Sequence, residues 1–118
     1  MPNQIDALDD VFRALSDPTR RAVVRQLSSG PASVSELAEP FDMALPSFVQ
    51  HLNILQSAGL VSSIKVGRVR TCKLVPETLT PVEEWLTDTK RFWAKRIDAL
   101  ENYLADETAK DRRGKAEP

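Results

Sequence analysis

The chain is poor in the residues that most often carry chemistry. It has one cysteine, Cys72, and one histidine, His51. A lone cysteine cannot form a disulfide within the chain, and no cysteine or histidine cluster has the spacing of a zinc or copper site. We therefore expect no metal and no other cofactor. The chain also has no glycine-rich phosphate loop and no evident nucleophile beside a base, which argues against an enzyme.

Long apolar runs are also missing. No stretch approaches the roughly 18 apolar residues of a membrane-spanning helix. The acidic start of the chain lacks the basic and hydrophobic regions of a signal peptide. We therefore expect a cytoplasmic protein with no membrane partner, and the length of the chain suits a single domain.

Negative charge is absent from one long stretch. Lysine and arginine (16) nearly balance aspartate and glutamate (17) over the whole chain, yet residues 43–76 contain no acidic residue. The same stretch holds Lys65, Arg68, Arg70, Lys73 and His51. Such segregation creates a positive surface on a nearly neutral protein, which is typical of contact with a nucleic-acid backbone. A solvated hairpin that carries cations only for solubility is the alternative.

A helix is predicted at the start of this acid-free stretch. Phe48, Leu52 and Leu55 recur at spacings of four and three, so one stripe of the helix is apolar and faces a core. Ala44 extends the stripe by one turn. Gly59 suits the left-handed residue that ends a helix. Between the apolar positions lie short or amide-bearing side chains suited to reading base edges, namely Ser47, Gln50, His51 and Asn53.

A short β-hairpin is predicted to follow this helix. Gly67 and Arg68 suit a two-residue loop, which places Lys65 opposite Arg70 on one face. Like charges in that position destabilise a hairpin, and a nearby polyanion would relieve the repulsion. A helix with small polar residues on its outer face, followed directly by a basic hairpin, is typical of a winged helix-turn-helix. In that fold the helix enters a major groove and the hairpin lies along the adjacent backbone.

Three shorter helices are predicted upstream. The first covers residues 5–15, where apolar residues recur at steps of three and four. The second begins at Asp17, and the third begins at a capping box formed by Ser33 and Glu36. The third helix and the helix of the acid-free stretch form the helix-turn-helix pair. The predicted fold class is therefore mainly α with a small β-hairpin: a winged helix-turn-helix of about five helices and a two-stranded wing.

The last predicted helix is long and amphipathic. It begins at Thr80, with Glu83 completing a capping box, and its apolar stripe extends over about 24 residues, or roughly 36 Å. A domain of this size has no obvious surface to cover that stripe, so we expect a second copy of the chain to cover it. Packing along the first helix is the alternative. Beyond Ala105 the periodicity stops, so we expect a domain over residues 1–105 and a disordered tail over residues 106–118.

Three segments resemble the ArsR family of bacterial winged-helix transcriptional repressors. They are FRALSDPTRRAVVRQL (residues 12–27), SVSELAEPFDMALPSFVQHLNILQSAGLV (residues 33–61) and the glycine–arginine pair at Gly67 and Arg68. The resemblance extends over roughly residues 5–104. It implies a homodimeric repressor, built by the first and last helices and bound to double-stranded DNA at an imperfect inverted repeat.

The resemblance also implies site residues. By matching positions, the residues that face DNA bases are Leu45, Pro46, Ser47, Val49 and Gln50, and those that contact phosphates are Lys65, Arg68 and Arg70. Leu45 and Val49 are more apolar than is common there; they suit thymine methyl groups or packing against a neighbouring side chain. His51 and Asn53 complete the candidate DNA-binding set. The candidate dimer interface consists of Ile5, Leu8, Phe12, Trp85, Leu86, Phe92, Trp93, Ile97, Leu100 and Leu104.

The chain departs from the best known members of this family at their metal sites. Those members bind metal ions through cysteines in the third helix, where this chain has residues 37–39, or through histidine and carboxylates in the last helix, where it has no histidine. We therefore expect no metal sensing. A switch by oxidation of Cys72, a small effector bound near Trp85, Phe92 and Trp93, and a winged-helix module that binds only proteins remain open. The sequence does not identify an effector.

Overall fold

The computed structural model describes residues 4–116 and the side chains of residues 7–112. The chain forms two compact units, and the boundary between them lies between Val82 and Glu83. The helices are α1 (Gln4–Ala14), α2 (Pro18–Leu27), α3 (Val34–Ala38), α4 (Leu45–Ser57) and α5 (Thr80–Ala116), with a short 3-10 helix at Pro76–Leu79. The strands are β1 (Ala32–Ser33), β2 (Val61–Val66) and β3 (Val69–Leu74). The mainly helical winged fold is therefore confirmed.

The first unit is built around one apolar core. Its largest fully buried side chains include Phe48, Leu37, Leu52 and Leu55. Phe48 stacks on Phe41 with 5.5 Å between the ring centroids. The predicted apolar stripe of α4 is therefore confirmed, and it forms the centre of the core. Burial of these side chains supplies most of the driving force that holds α4 in place.

One face of α1 packs on the core of the first unit. Val11 and Ala14 are buried, and Leu8 and Leu15 pack against the core from its edge. Phe12 is 39% exposed. The face is centred on Val11, one residue and therefore about 100° away from Phe12 on the helix. The predicted contact residue Ile5 lies outside the described side chains, and the interface role of Leu8 and Phe12 stays a prediction.

Side-chain caps fix the starts of α2 and α3. The Asp17 carboxylate accepts a hydrogen bond of 3.1 Å from the backbone N–H of Arg20. The Ser33 hydroxyl accepts one of 3.2 Å from the backbone N–H of Glu36, whose carboxylate accepts in return from the Ser33 N–H over 3.3 Å. These two predicted caps are confirmed, and each satisfies backbone donors that a helix start leaves unpaired. The predicted cap at Thr80 is wrong, because Thr80 has helical angles (φ −56°, ψ −47°) and continues the 3-10 helix directly into α5.

The end of α4 is held by a Schellman motif. Gly59 has φ +81°, a left-handed value that a glycine adopts without steric cost. Its N–H donates to the Gln56 carbonyl, and the Leu60 N–H donates to the Leu55 carbonyl, both over 3.0 Å. Leu55 and Leu60 are both fully buried. Ala44, expected on the apolar stripe, is instead the exposed N-cap residue, because its extended ψ of 143° places it outside the helical repeat.

The hairpin has the predicted register. Lys65 pairs with Arg70 and Val66 pairs with Val69 around a Gly67–Arg68 loop. Gly67 has φ +62°, as the first central residue of a type II′ turn requires. The sheet has three strands rather than the expected two, because β1 pairs antiparallel with β3 through Ala32↔Cys72 and Ser33↔Thr71. A two-residue strand has no periodicity, so the sequence carried no signal for it.

The second unit is the helix α5. It was expected to span about 24 residues and to end near Ala105, whereas the structure extends it to Ala116. The additional turns need no apolar stripe, because local contacts support them: the Thr108 hydroxyl donates to the Leu104 carbonyl over 2.9 Å, and Lys110 pairs with Glu107 at 3.8 Å. The division into a domain over 1–105 and a tail over 106–118 stays a prediction. No helix within residues 4–116 is long and apolar enough to cross a membrane.

Candidate nucleic-acid interface

One face of α4 is exposed and polar. Because a helix advances about 100° per residue, Pro46, Gln50 and Asn53 lie opposite the buried stripe, and all three are exposed. Ser47 and Leu45 flank them and are also exposed, with Leu45 at 55%. This face therefore brings together most of the residues expected to face bases.

Two expected base-facing residues are less accessible. Val49 is half-buried, so its side chain serves packing at least in part. His51 is half-buried and turned towards α2, where its Nδ1 atom lies 3.1 Å from Nη1 of Arg20 and 3.7 Å from Oδ2 of Asp17. The histidine therefore has partners inside the protein.

Arg20 is the centre of the α2–α4 contact. Its Nε donates to the Ala14 carbonyl over 2.6 Å, and its Nη2 donates to the Arg13 carbonyl over 3.2 Å. These carbonyls belong to the last turn of α1, where backbone acceptors have no partner within the helix. With its contact to His51, Arg20 joins α1, α2 and α4. No periodicity in the sequence predicts this role.

Arg70 links the hairpin to α4. Its Nε donates to the Ser63 hydroxyl over 3.1 Å, and its Nη2 donates to the side-chain oxygens of Gln56 over 2.7 Å and Asn53 over 3.3 Å. The Ser63 hydroxyl also donates to the same Gln56 oxygen over 2.9 Å. Arg70 is half-buried. Ser63 and Gln56 were not singled out from the sequence, although both lie in the acid-free stretch.

The remaining cations of the hairpin face solvent. Lys65, Arg68 and Lys73 are exposed. Within the part of the chain whose side chains are described, none of the three makes an ion pair with a carboxylate. With no acidic residue between positions 43 and 76, the wing carries uncompensated positive charge beside the polar face of α4. Such a surface attracts a polyanion at long range.

An exposed apolar stripe characterises α5. Trp93 is 59% exposed, and its ring meets Phe92 edge to face at 6.2 Å between centroids. The guanidinium carbon of Arg96 lies 5.0 Å from the centre of the Phe92 ring. The other large apolar side chains exposed on this helix are Trp85, Leu86, Ile97, Leu100, Tyr103 and Leu104. So large an apolar area on one helix is typical of a protein interface.

Other kinds of site have little support. Among the described residues, no group of three or more histidine, cysteine, aspartate or glutamate side chains could hold a metal ion. Cys72 is fully buried, and burial raises the pKa of its thiol even though the nearby charge of Arg70 acts in the opposite direction. A protonated, buried thiol is a poor nucleophile.

Known proteins share this architecture. A sequence profile described as a helix-turn-helix domain matches residues 15–64. The HTH-type transcriptional regulator Rv2034 of Mycobacterium tuberculosis is 35% identical over 99 residues, which cover 84% of this chain and 90% of that protein. The transcriptional repressor SdpR of Bacillus subtilis is 34% identical over 79 residues, which cover 67% of this chain and 88% of that protein.

Solved structures agree with these relatives. The ArsR family transcriptional regulator RHA00566 is 51% identical and superposes with a TM-score of 0.75, covering 80% of this chain and 97% of that one. The ArsR-like transcriptional regulator from Rhodococcus sp. RHA1 is 33% identical with a TM-score of 0.68, covering 81% and 91%. The chain belongs to the ArsR family of winged helix-turn-helix transcriptional regulators, which are DNA-binding proteins and not enzymes.

Proposed function

We propose that this chain is a homodimeric transcriptional repressor that acts in the cytoplasm and binds an inverted-repeat operator in double-stranded DNA. The observation that carries the proposal is the exposed, uncompensated positive charge of the wing, beside the polar face of α4. Phosphates would neutralise Lys65 and Arg68, whose side chains have no carboxylate partner among the described residues.

The helix α4 is assigned to the major groove. Ser47 and Gln50 are exposed polar residues on it and would hydrogen-bond base edges, while Leu45 and Pro46 would contact apolar groups such as thymine methyls. Asn53 continues this face. His51 supports the helix from α2 rather than reading bases, because its ring nitrogen is engaged by Arg20. Val49 contributes only through the exposed part of its side chain.

The apolar stripe of α5 is assigned to the dimer contact. A second copy that presents the same stripe would bury Trp93, Ile97 and Leu100, which are each more than half exposed in the single chain. A twofold axis between two copies would place their α4 helices in successive major grooves, about 34 Å apart. Bound across a promoter, such a dimer blocks RNA polymerase. A distant structural neighbour supports a dimer. The M. bovis domain Mb0332 is described as a homodimeric winged helix-turn-helix DNA-binding domain. It is 21% identical, with a TM-score of 0.59 over 75% of this chain and 83% of that one.

The deciding experiment is equilibrium DNA binding by the full chain. Gel-shift assays against genomic fragments, followed by footprinting on the best fragment, should give two protected half-sites related by a dyad. Sedimentation should give a dimer both with and without DNA. A protein that binds every fragment no better than albumin does would refute the proposal and favour a winged-helix module that binds only proteins. A monomer that protects a single half-site would refute the proposal that a dimer binds an inverted repeat.

A further inference from the structure

Arg70 differs from the other wing cations because three of its five N–H donors are already used within the protein. Its Nε and Nη2 atoms donate to Ser63, Asn53 and Gln56 over distances between 2.7 and 3.3 Å. It is half-buried, whereas Lys65, directly opposite in the hairpin, is exposed. A guanidinium that is held on two sides by neutral oxygens is fixed in place, so it cannot readily move to contact a DNA phosphate.

The contact also fixes the orientation of two amides on α4. A guanidinium has only donors, so the groups of Asn53 and Gln56 that face Arg70 must be their oxygens. The Gln56 oxygen accepts a second bond from the Ser63 hydroxyl over 2.9 Å. The NH2 groups of both amides are therefore turned away from the wing. Both residues are exposed, and no hydrogen bond from either NH2 group occurs among the described side chains.

We propose that Arg70 is a positioning residue, which fixes the wing against α4 and orients Asn53 and Gln56 so that their NH2 groups donate to DNA. This inference rests on the proposed function. It adds Gln56 to the DNA-reading surface and moves Arg70 out of the phosphate-contacting set. The acceptors that two such donors suit are phosphate oxygens or the N7 and O6 atoms of guanine.

A double-mutant cycle distinguishes a positioning role of Arg70, exerted through Gln56, from an independent contact of Arg70 with a phosphate. Affinity is measured for a duplex that the wild-type protein selects from a random-sequence pool, with R70A, Q56A and the double variant R70A/Q56A. If Arg70 acts through Gln56, each single change costs about tenfold in affinity, and the double variant binds within about twofold of the weaker single variant. An independent phosphate contact instead gives multiplied losses, about a hundredfold for the pair.

Two further variants distinguish the effect of the charge of Arg70 from the effect of its hydrogen bonds. R70K keeps the charge but has one donor nitrogen, which cannot hold Ser63 together with both amides. It should lose several-fold in affinity for the selected duplex and little for a scrambled duplex. R68A removes the same charge as R70A, from the exposed loop. The salt dependence of binding should be reduced more by R68A than by R70A. Wild-type affinity of R70K, or equal slope changes in R70A and R68A, would overturn the inference.

A measurement without DNA tests the wing contact itself. Hydrogen exchange of the β2 and β3 backbone amides should be faster in R70A than in wild type and unchanged in R68A. If the wild type binds no duplex at all, the proposed function is wrong, and the exchange data alone decide whether Arg70 holds the wing. Unchanged hydrogen exchange in R70A would show that Arg70 does not hold the wing against α4.

Discussion

Nη1 of Arg20, on α2, lies 3.1 Å from Nδ1 of His51, on α4. Because a guanidinium nitrogen can only donate, this contact requires His51 to be the tautomer that carries its proton on Nε2. The same ring nitrogen lies 3.7 Å from the Asp17 carboxylate. The helix α4 is thus held on one side by the start of α2 and on the other, through Arg70, by the wing.

The first prediction concerns Asp17. Burial acts to raise the pKa of its carboxyl, but the hydrogen bond from the Arg20 N–H and the electrostatic effects of the nearby His51 and Arg20 side chains outweigh burial and lower that pKa. The stability it contributes is therefore fully present above the unfolded-state pKa of about 3.9 and is lost as the pH falls through the lower folded-state pKa. D17A should cost about 1 kcal/mol of unfolding free energy near neutral pH, because the helix cap is lost.

D17N is the matched control for Asp17, since asparagine also caps helices but carries no charge. Urea unfolding over a pH series should show that near neutral pH D17N loses less unfolding free energy, relative to wild type, than D17A does. The advantage of wild type over D17N should shrink on acidification. Parallel pH curves for wild type and D17N would contradict a lowered pKa for Asp17.

The second prediction concerns Gln50. Its exposed amide lies opposite the buried stripe of α4, so Q50A should mainly relax sequence choice, by about tenfold or more at one base pair of each half-site. Affinity for unrelated DNA should change little. Selection from a random-sequence pool measures this, and Q26A, a glutamine change on α2, is the control. An unchanged preference in Q50A would mean that α4 is not the reading helix.

The third prediction concerns Arg68. This residue is exposed in the hairpin loop, so R68A should weaken binding to all sequences alike. The slope of log affinity against log salt should become shallower by about 0.9 for each dimer half that loses a phosphate contact. R25A removes the same charge from an exposed position on α2. It should leave the slope closer to that of wild type, and equal effects of R25A and R68A would argue against a wing contact.

The fourth prediction concerns α5. Ile97 is 52% exposed on the apolar stripe, and burying a glutamate there in a dimer is strongly unfavourable. I97E should therefore sediment as a monomer and lose affinity for the full operator. Asn102 is also exposed and lies five residues on, about 140° around the helix and opposite Trp93. N102E adds the same charge and should stay dimeric. If I97E remains dimeric, the dimer contact does not involve this part of the apolar stripe.

The fifth prediction concerns Cys72. Its side chain is fully buried, and burial raises the pKa of its thiol, so a thiol reagent should react far more slowly with the native protein than with protein unfolded in urea. Mild peroxide should leave DNA affinity unchanged, as it should for the variant C72A. Rapid labelling of the native thiol, or a peroxide effect that C72A abolishes, would instead support a redox switch.

Periodic and local signals predicted most of the fold. The spacing of Phe48, Leu52 and Leu55 identified the buried face of α4, and the Gly67–Arg68 pair gave the hairpin register. Charge along the chain also identified the candidate surface, because the acid-free stretch is continuous in sequence. The apolar spacing and the hairpin register depend on residues a few positions apart, which is the range over which sequence patterns are informative, and the charge segregation needs only a reading of charges along the chain.

The contacts that hold the surface together could not be predicted in the same way. Arg70 reaches Asn53 and Gln56 across 17 and 14 positions, and Arg20 reaches His51 across 31. Such hydrogen bonds depend on how separate elements pack, and no periodicity records them. For this reason the sequence did not predict that Arg70 and His51 have hydrogen-bond partners inside the protein, or that Gln56 accepts from Arg70; their contacts with DNA stay predictions.

Only Ala58, Gly59 and Leu60 connect α4 to β2. The Gly59 carbonyl accepts a 2.6 Å hydrogen bond from the Thr78 hydroxyl, so even this short link is clamped. The distance between α4 and the wing is therefore fixed within one copy of the chain. In the proposed dimer, operators that differ in length would then have to be accommodated by the contact between the two copies.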